Sequence, residues 1–304
     1  MQGIYAITQS KDDSLEKQNK FLKVSIDNTY TLYLLLLGLL IELRNHAKEQ
    51  VELSSKKYLE TNTDNFPDKN KFVNNQLLTQ LSNNKQLQEE LKKRKLNNWY
   101  LNGEYVKLIF KEIQQNTSFV DYMSSSKSNY DEDKTLIIDL YKSVIAPNDK
   151  IYDYLEDDKL TWVDDIPIVN TFIVKLLKKA SENKVESFFL PSLLKDDDDL
   201  VFAKQLLSKT LLNNETFVKE IEGKTPNWDK DRIADIDSIL LKMAICELLH
   251  FASIPERVTI NEYLEIAKEY STPKSSIFIN GVLDKLVKEY QKDGKLKKAG
   301  RGLL

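Results

Sequence analysis

The amino-acid sequence predicts an all-α protein, on three observations. Glycine and proline number 8 and 7 in 304 residues, so they punctuate the chain rather than fill it. Between them the apolar residues recur at three- and four-residue spacing, the period of an amphipathic helix. The alternation expected of a half-buried strand is almost absent, and no repeat of fixed period divides the chain. A hydrophobic share of 41% beside 30% charged residues suits a chain that buries a core, and a single cysteine excludes a disulfide scaffold. The common α/β enzyme folds place glycine at strand-to-helix turns. Here no glycine lies between Gly103 and Gly223, and no Gly-rich phosphate loop occurs.

Taken in order, the elements begin with QGIYAITQSKDD, which reads as the end of a helix. Leu22, Ile26, Tyr30, Tyr33, Leu34 and Leu37 then repeat at three and four, and the pattern continues through Leu40 and Leu43 as one long helix. Its continuous apolar stretch, residues 32–41, is about half the length of roughly 20 residues that a bilayer demands. Residues 54–98 are polar, rich in Asn, Gln and Lys, with sparse leucines. They are expected to form a loop near Pro67 and then an exposed helix ending in Lys92, Lys93, Arg94 and Lys95. Tyr105, Leu108, Ile109 and Ile113 mark a further helix, residues 136–145 another, closed by Pro147, and residues 168–177 a third. Residues 188–194 are broken by Pro191, and Asp196 to Asp199 stand immediately before the helical period of Leu200, Ala203, Leu206, Leu207 and Leu211. Acids in a first turn oppose the helix dipole, and adjacent carboxylates on a helix start diverge, so these four read as a helix start rather than a metal site.

The last hundred residues hold three helices. The first carries Ile236, Ile239, Leu240, Met243, Ala244 and Leu248 on one face, widened by Leu241, Ile245 and Leu249, with Asp235, Ser238 and Lys242 on a narrow polar stripe. A helix apolar over most of its circumference is central to a fold. The second is expected to start with a capping box of Thr259 and Glu262 after Pro255. The third, capped by Ser275 or Ser276, carries Phe278, Ile279, Val282, Leu283 and Leu286, and Gly281 inside it calls for a packing reason.

Charge limits the partners. With 44 basic and 47 acidic residues the net charge is -3, so any contact with a polyanion is local. Cys246 in an apolar run suits a buried thiol in a reducing compartment, and the N-terminus shows no basic leader, so a cytoplasmic protein without membrane contact is expected. His46 and His250 have no ligand spacing. No catalytic residue, metal or cofactor is expected, and the chain does not read as an enzyme.

The run IPERVTINEYLEIAKEYSTPKSSIFINGVLDKL resembles the signature region of the NusB family, with its I/V-P, I-N-E, A-K and F-V-N-G-V-L-D succession. DSILLKMAICELL resembles that family's central helix, DLVFAKQLLSKTLL its third, and QGIYAITQSKDD the end of its first, with Tyr5 at an aromatic position. The resemblance implies a NusB-like helical bundle with additional helices. Residues 1–10 would end the first helix, 11–197 would be a helical elaboration, 198–290 the NusB-like core and 291–304 a basic C-terminal tail.

By function, the resemblance implies an RNA-binding transcription antitermination factor. It would pair with the ribosomal small-subunit protein NusE on boxA-like RNA, support ribosomal RNA transcription, and meet the transcribing RNA polymerase complex indirectly. RNA contact is expected from Lys242 on the polar stripe and from the turn of Lys274, Ser275, Ser276 and Phe278. Serine groups at a helix start suit a phosphate, Lys274 adds charge, and Phe278 either stacks on a base or joins the core beside Val282. Tyr5 and Asp237 are expected to face the partner protein, Asp237 as an exposed carboxylate. The chain departs from the family at Ile277, a commonly basic position, and in lacking the arginine-rich opening of the first helix. Either that segment lies upstream of Met1 or this member binds RNA weakly. The basic residues of the tail, Lys285 to Arg301, and the Lys92–Lys95 cluster would supply charge or remain solvated. The alternative is a helical scaffold for protein partners with reduced RNA binding.

Overall fold

A computed structural model describes residues 1–10, 14–56, 66–127, 129–194, 197–224 and 233–299. Among them there are fifteen α-helices and no strand. In chain order these are α1 (Gln2–Ser10), α2 (Leu15–Lys56), α3 (Gln76–Ser82), α4 (Lys85–Lys93), α5 (Asn98–Leu101), α6 (Gly103–Gln115), α7 (Thr117–Ser124) and α8 (Tyr130–Leu140). They continue with α9 (Asp149–Asp158), α10 (Trp162–Lys179), α11 (Asp197–Leu212), α12 (Asn214–Glu222), α13 (Asp235–His250), α14 (Glu256–Tyr270) and α15 (Ser275–Lys292). A single π turn, Tyr141–Ile145, extends α8 towards Pro147. The chain divides into two compact units, Met1–Val24 with Leu194–Leu304, and Ser25–Leu193.

The Ser25–Leu193 unit is built around α2. Residues 32–43 are buried except Glu42, because a helix apolar on every side has to be surrounded by others. A window of this helix also passes for a membrane span by length and composition, but the apolar stretch packs internally, beneath α3 to α10 of its own unit. Indole and phenol donors fix its neighbours: Trp99 Nε1 donates to the Leu35 carbonyl at 2.7 Å, Trp162 Nε1 to that of Asn28 at 2.9 Å, and Tyr33 to that of Phe189 at 2.8 Å.

The polar segment after residue 54 corrects the expectation of an exposed helix. Leu77, Leu78, Leu81 and Leu87 are 0–1% exposed on the short helices α3 and α4, within the same core as α2. Two of the segment's asparagines, Asn75 and Asn84, are helix caps, as are three asparagines further along the chain. Asn75, Asn84, Asn116, Asn129 and Asn148 each accept a backbone N–H in the first turn of α3, α4, α7, α8 and α9. Four also donate across the unit, Asn75 to the Asp133 carbonyl, Asn84 to the Glu186 carbonyl, Asn116 to Ser143 Oγ and Asn148 to Glu112 Oε2.

In the other unit α13 is central, packed by α1, α11, α12, α14 and α15. Every residue from Ile239 to Leu248 on it is buried, including Cys246 at 0% exposure. Asp197, Asp198 and Asp199 occupy the first turn of α11, while Asp196 lies outside the described residues. Three local expectations are corrected. Helix α14 starts at Glu256, not Thr259; Thr259 is fully buried inside it and donates to Glu247 Oε1 at 2.8 Å, where Tyr263 also donates to Oε2 at 3.1 Å. Ser275 caps nothing, as Lys274 holds the cap position of α15 and the serine hydroxyl turns inward. Gly281 is exposed, and a Cβ there would meet nothing within 4 Å, so no close packing explains it. In the tail, Lys298 Nζ donates to the carbonyls of Glu247 and Phe251 at 3.2 and 3.1 Å, a cation closing the C-terminus of α13. Arg301 lies outside the described residues.

Candidate functional site

The seven residues singled out from sequence all fall in the Met1–Val24/Leu194–Leu304 unit, and two of them meet. Asp237, in the first turn of α13, accepts from Ser275 Oγ at 2.7 Å and from Ser271 Oγ at 2.6 Å. Ser275 Oγ also accepts the Thr272 amide at 3.2 Å and lies 2.8 Å from Thr272 Oγ1 and 3.0 Å from Ser271 Oγ. This network joins the start of the central helix to the turn between α14 and α15. It occupies both oxygens of the carboxylate, and it is enclosed, with Asp237 5% and Ser275 2% exposed. The exposed carboxylate expected at Asp237 is therefore corrected: the acid stands at the right end of α13 but faces inward, because two hydroxyls satisfy it there. Ser271 and Thr272 were missed from the sequence. Their signal is the polar run Ser271, Thr272, Lys274, Ser275, Ser276 in the turn, whose partner 34 residues away no spacing rule reveals.

What the network holds in place is the outer surface of the same turn. Lys274 is exposed, Ser276 is half-buried, and Ile277 is 75% exposed. No side chain caps the amides of the first turn of α15, which leaves that turn its partial positive charge. Phe278 is half-buried and packs against the core of its unit, with part of its ring accessible.

Lys242 and Tyr5 stand apart from this turn. Lys242 is 6% exposed, its Nζ donates to Asn214 Oδ1 at 3.0 Å at the start of α12, and burial pulls its pKa down. The polar stripe drawn from sequence is thus covered at this position, since α12 lies over it. Tyr5 projects from α1 at 43% exposure beside the buried Ile4, and Gln9 of the same helix donates to Asp235 Oδ2 at 2.9 Å, which ties α1 to the start of α13. Among the described residues no group of three or more His, Cys, Asp or Glu side chains is placed to hold a metal ion.

Comparison with known proteins matches the C-terminal part of the chain. Residues 168–288 match the model described as NusB family, a stretch that begins within α10 and ends within α15. A transcription antitermination protein NusB of Salinibacter ruber is 46% identical over 103 residues, 34% of this chain and 64% of that protein. The protein of the same name from Chloroherpeton thalassium is 37% identical, covering 42% and 61%, and that of Desulfitobacterium hafniense is 38% identical, covering 38% and 75%. The chain thus spans under two thirds of the length of the first two relatives. No solved structure matches.

Proposed function

The chain belongs to the NusB family, and from that membership we propose that it is a cytoplasmic, RNA-binding transcription antitermination factor, without catalytic activity, that pairs with the ribosomal protein NusE on boxA-like RNA in support of ribosomal RNA transcription. The observation that carries this reading is the family match over residues 168–288 together with 38% identity across three quarters of the Desulfitobacterium hafniense protein.

The surface supports it in a particular way. Lys274, Ser276 and the accessible part of Phe278 form the RNA-facing turn, where a lysine and a helix start with no side-chain cap suit a phosphate and an aromatic edge suits a base. Ser275 and Asp237 act beneath that surface, as the hydrogen-bonded clasp that fixes the turn on α13. Lys242 contributes through the attachment of α12, and Tyr5 supplies an aromatic contact for the protein partner from α1.

The test is fluorescence anisotropy of a short boxA-like RNA, with and without NusE, at two salt concentrations. Selective binding that NusE strengthens and salt weakens is expected, and Lys274→Glu is expected to weaken it and to lower the salt slope by roughly 0.7 for a single strand. Intact NusE binding with no preference for the boxA-like sequence would replace this reading with that of a protein scaffold.

A further inference from the structure

The Ser25–Leu193 unit carries a groove of about 490 Å³ over α2, between α4 and the start of α5. Its volume falls in the range of roughly 300–1,000 Å³ typical of small-ligand sites. Ile41, Leu91 and the indole of Trp99 give it an apolar floor, and Lys92, Lys95 and Asn97 a polar rim beside Tyr100. Trp99 is fixed there by its bond to the Leu35 carbonyl, so the floor is preformed. We propose that this groove binds a nucleotide of single-stranded RNA, with Lys92 and Lys95 on its phosphate and Tyr100 stacked on its base; the proposal rests on the reading above that the chain meets RNA.

Three observations point to this ligand. The first is which cations are left for it. Of the basic run at the end of α4, Arg94 is held by Asp27 through two bonds of 2.8 and 2.9 Å and by Glu90 at 2.9 Å, and Lys93 pairs with Glu90 at 3.3 Å. Among the described residues Lys92 and Lys95 form no ion pair, and both line the groove. The lining contains one acid, Glu42, whose Oε1 accepts from Asn45.

The second is the backbone at Lys95. The α4 helix ends with the Leu96 amide bonded to the Leu91 carbonyl at 2.9 Å and the Lys95 amide to that of Lys92 at 3.0 Å, which places Lys95 at φ 56. Glycine is the favoured residue at such a helix end. A lysine there retains a cation on the groove against its own backbone preference, the kind of strain that gathers at functional positions. The third is Tyr100, 80% exposed beside the groove and followed by Leu101 at 67%. An exposed ring next to paired cations is the arrangement by which proteins hold single strands without reading their sequence.

The full chain is titrated with labelled oligouridine, with a boxA-like RNA and with unlabelled uridine monophosphate. Oligouridine is expected to bind in a salt-dependent manner, and Tyr100→Ala to weaken it about fivefold or more. Lys95→Gly separates function from stability: it is expected to raise the melting temperature while weakening oligouridine and lowering the salt slope by roughly 0.7. A residue with a structural role alone would move binding and stability together. Absence of oligouridine binding, or binding indifferent to Lys95→Gly and Tyr100→Ala, overturns the proposal. Uridine monophosphate binding as tight as that of the oligomer overturns it in favour of a free-nucleotide site. Tyr100-dependent oligouridine binding without boxA selectivity defeats the antitermination reading and leaves this one standing; boxA selectivity without it does the reverse.

Discussion

Replacing Asp237 with alanine removes the acceptor of two hydroxyl bonds, 2.6 and 2.7 Å long, the first part-buried and the second buried. Hydrogen bonds to a charged group contribute roughly 1.5–3 kcal/mol each, so an upper bound near 6 kcal/mol applies if both serines are left unsatisfied. They are not, because the contacts among Ser271, Thr272 and Ser275 at 2.8–3.2 Å survive the substitution. A loss of about 3 kcal/mol follows from taking the lower value for each bond. Hydrogen exchange read by mass spectrometry localises this loss, since 1.4 kcal/mol is about tenfold in an opening equilibrium. Amides of α13 and of the first turns of α15 are expected to exchange roughly 100-fold faster, with peptides from α3 to α10 unchanged. A second substitution, Ser275→Ala, closes a double-mutant cycle in which about 1–2 kcal/mol of coupling is expected. An exchange change below about threefold, or one spread evenly through the chain, would refute the idea that this carboxylate clasps the turn.

Gly281→Ala is expected to stabilise its unit by about 1 kcal/mol, because the added methyl meets open space and alanine is the better helix former; thermal denaturation that moves the midpoint down would contradict it. Lys242→Met is expected to cost little or to stabilise, since burial disfavours the charged ammonium, and urea unfolding checks this. In the wild type the same lowered pKa makes stability rise with pH from the folded-state value up to the ordinary 10.5, and the variant loses that rise. Glu90 behaves oppositely: its hydrogen bond from Arg94 holds its pKa below the ordinary 4.5, so its stabilisation is present above that value and is lost as pH falls through the folded-state value. Glu90→Gln is expected to flatten that acid limb in a pH series of denaturation midpoints, and an unchanged limb would assign the acid sensitivity to other carboxylates.

The sequence by itself determined the helical class and the central helix. Few glycines and prolines with apolar spacing of three and four leave no other regular structure, and a helix such as Asp235–His250, apolar nearly all round, has to be enclosed whatever surrounds it. The motif succession from Ile254 to Leu286 also made the family resemblance legible before any coordinate. Tertiary structure decided the rest wherever the deciding partner is remote in sequence. Leu77, Leu78 and Leu81 read as sparse leucines in a polar segment, because a helix of seven residues is too short to display a stripe, and only the enclosing core makes them buried. Thr259 and Glu262 have the spacing of a capping box, yet the bond that Thr259 makes is to Glu247, twelve residues back on a neighbouring helix. Asp237 and Ser275, assigned from sequence to two different surfaces, are one buried contact across 38 residues. Periodicity along a chain reports which residues share a face; which face is covered, and by what, depends on packing between elements that no local pattern contains.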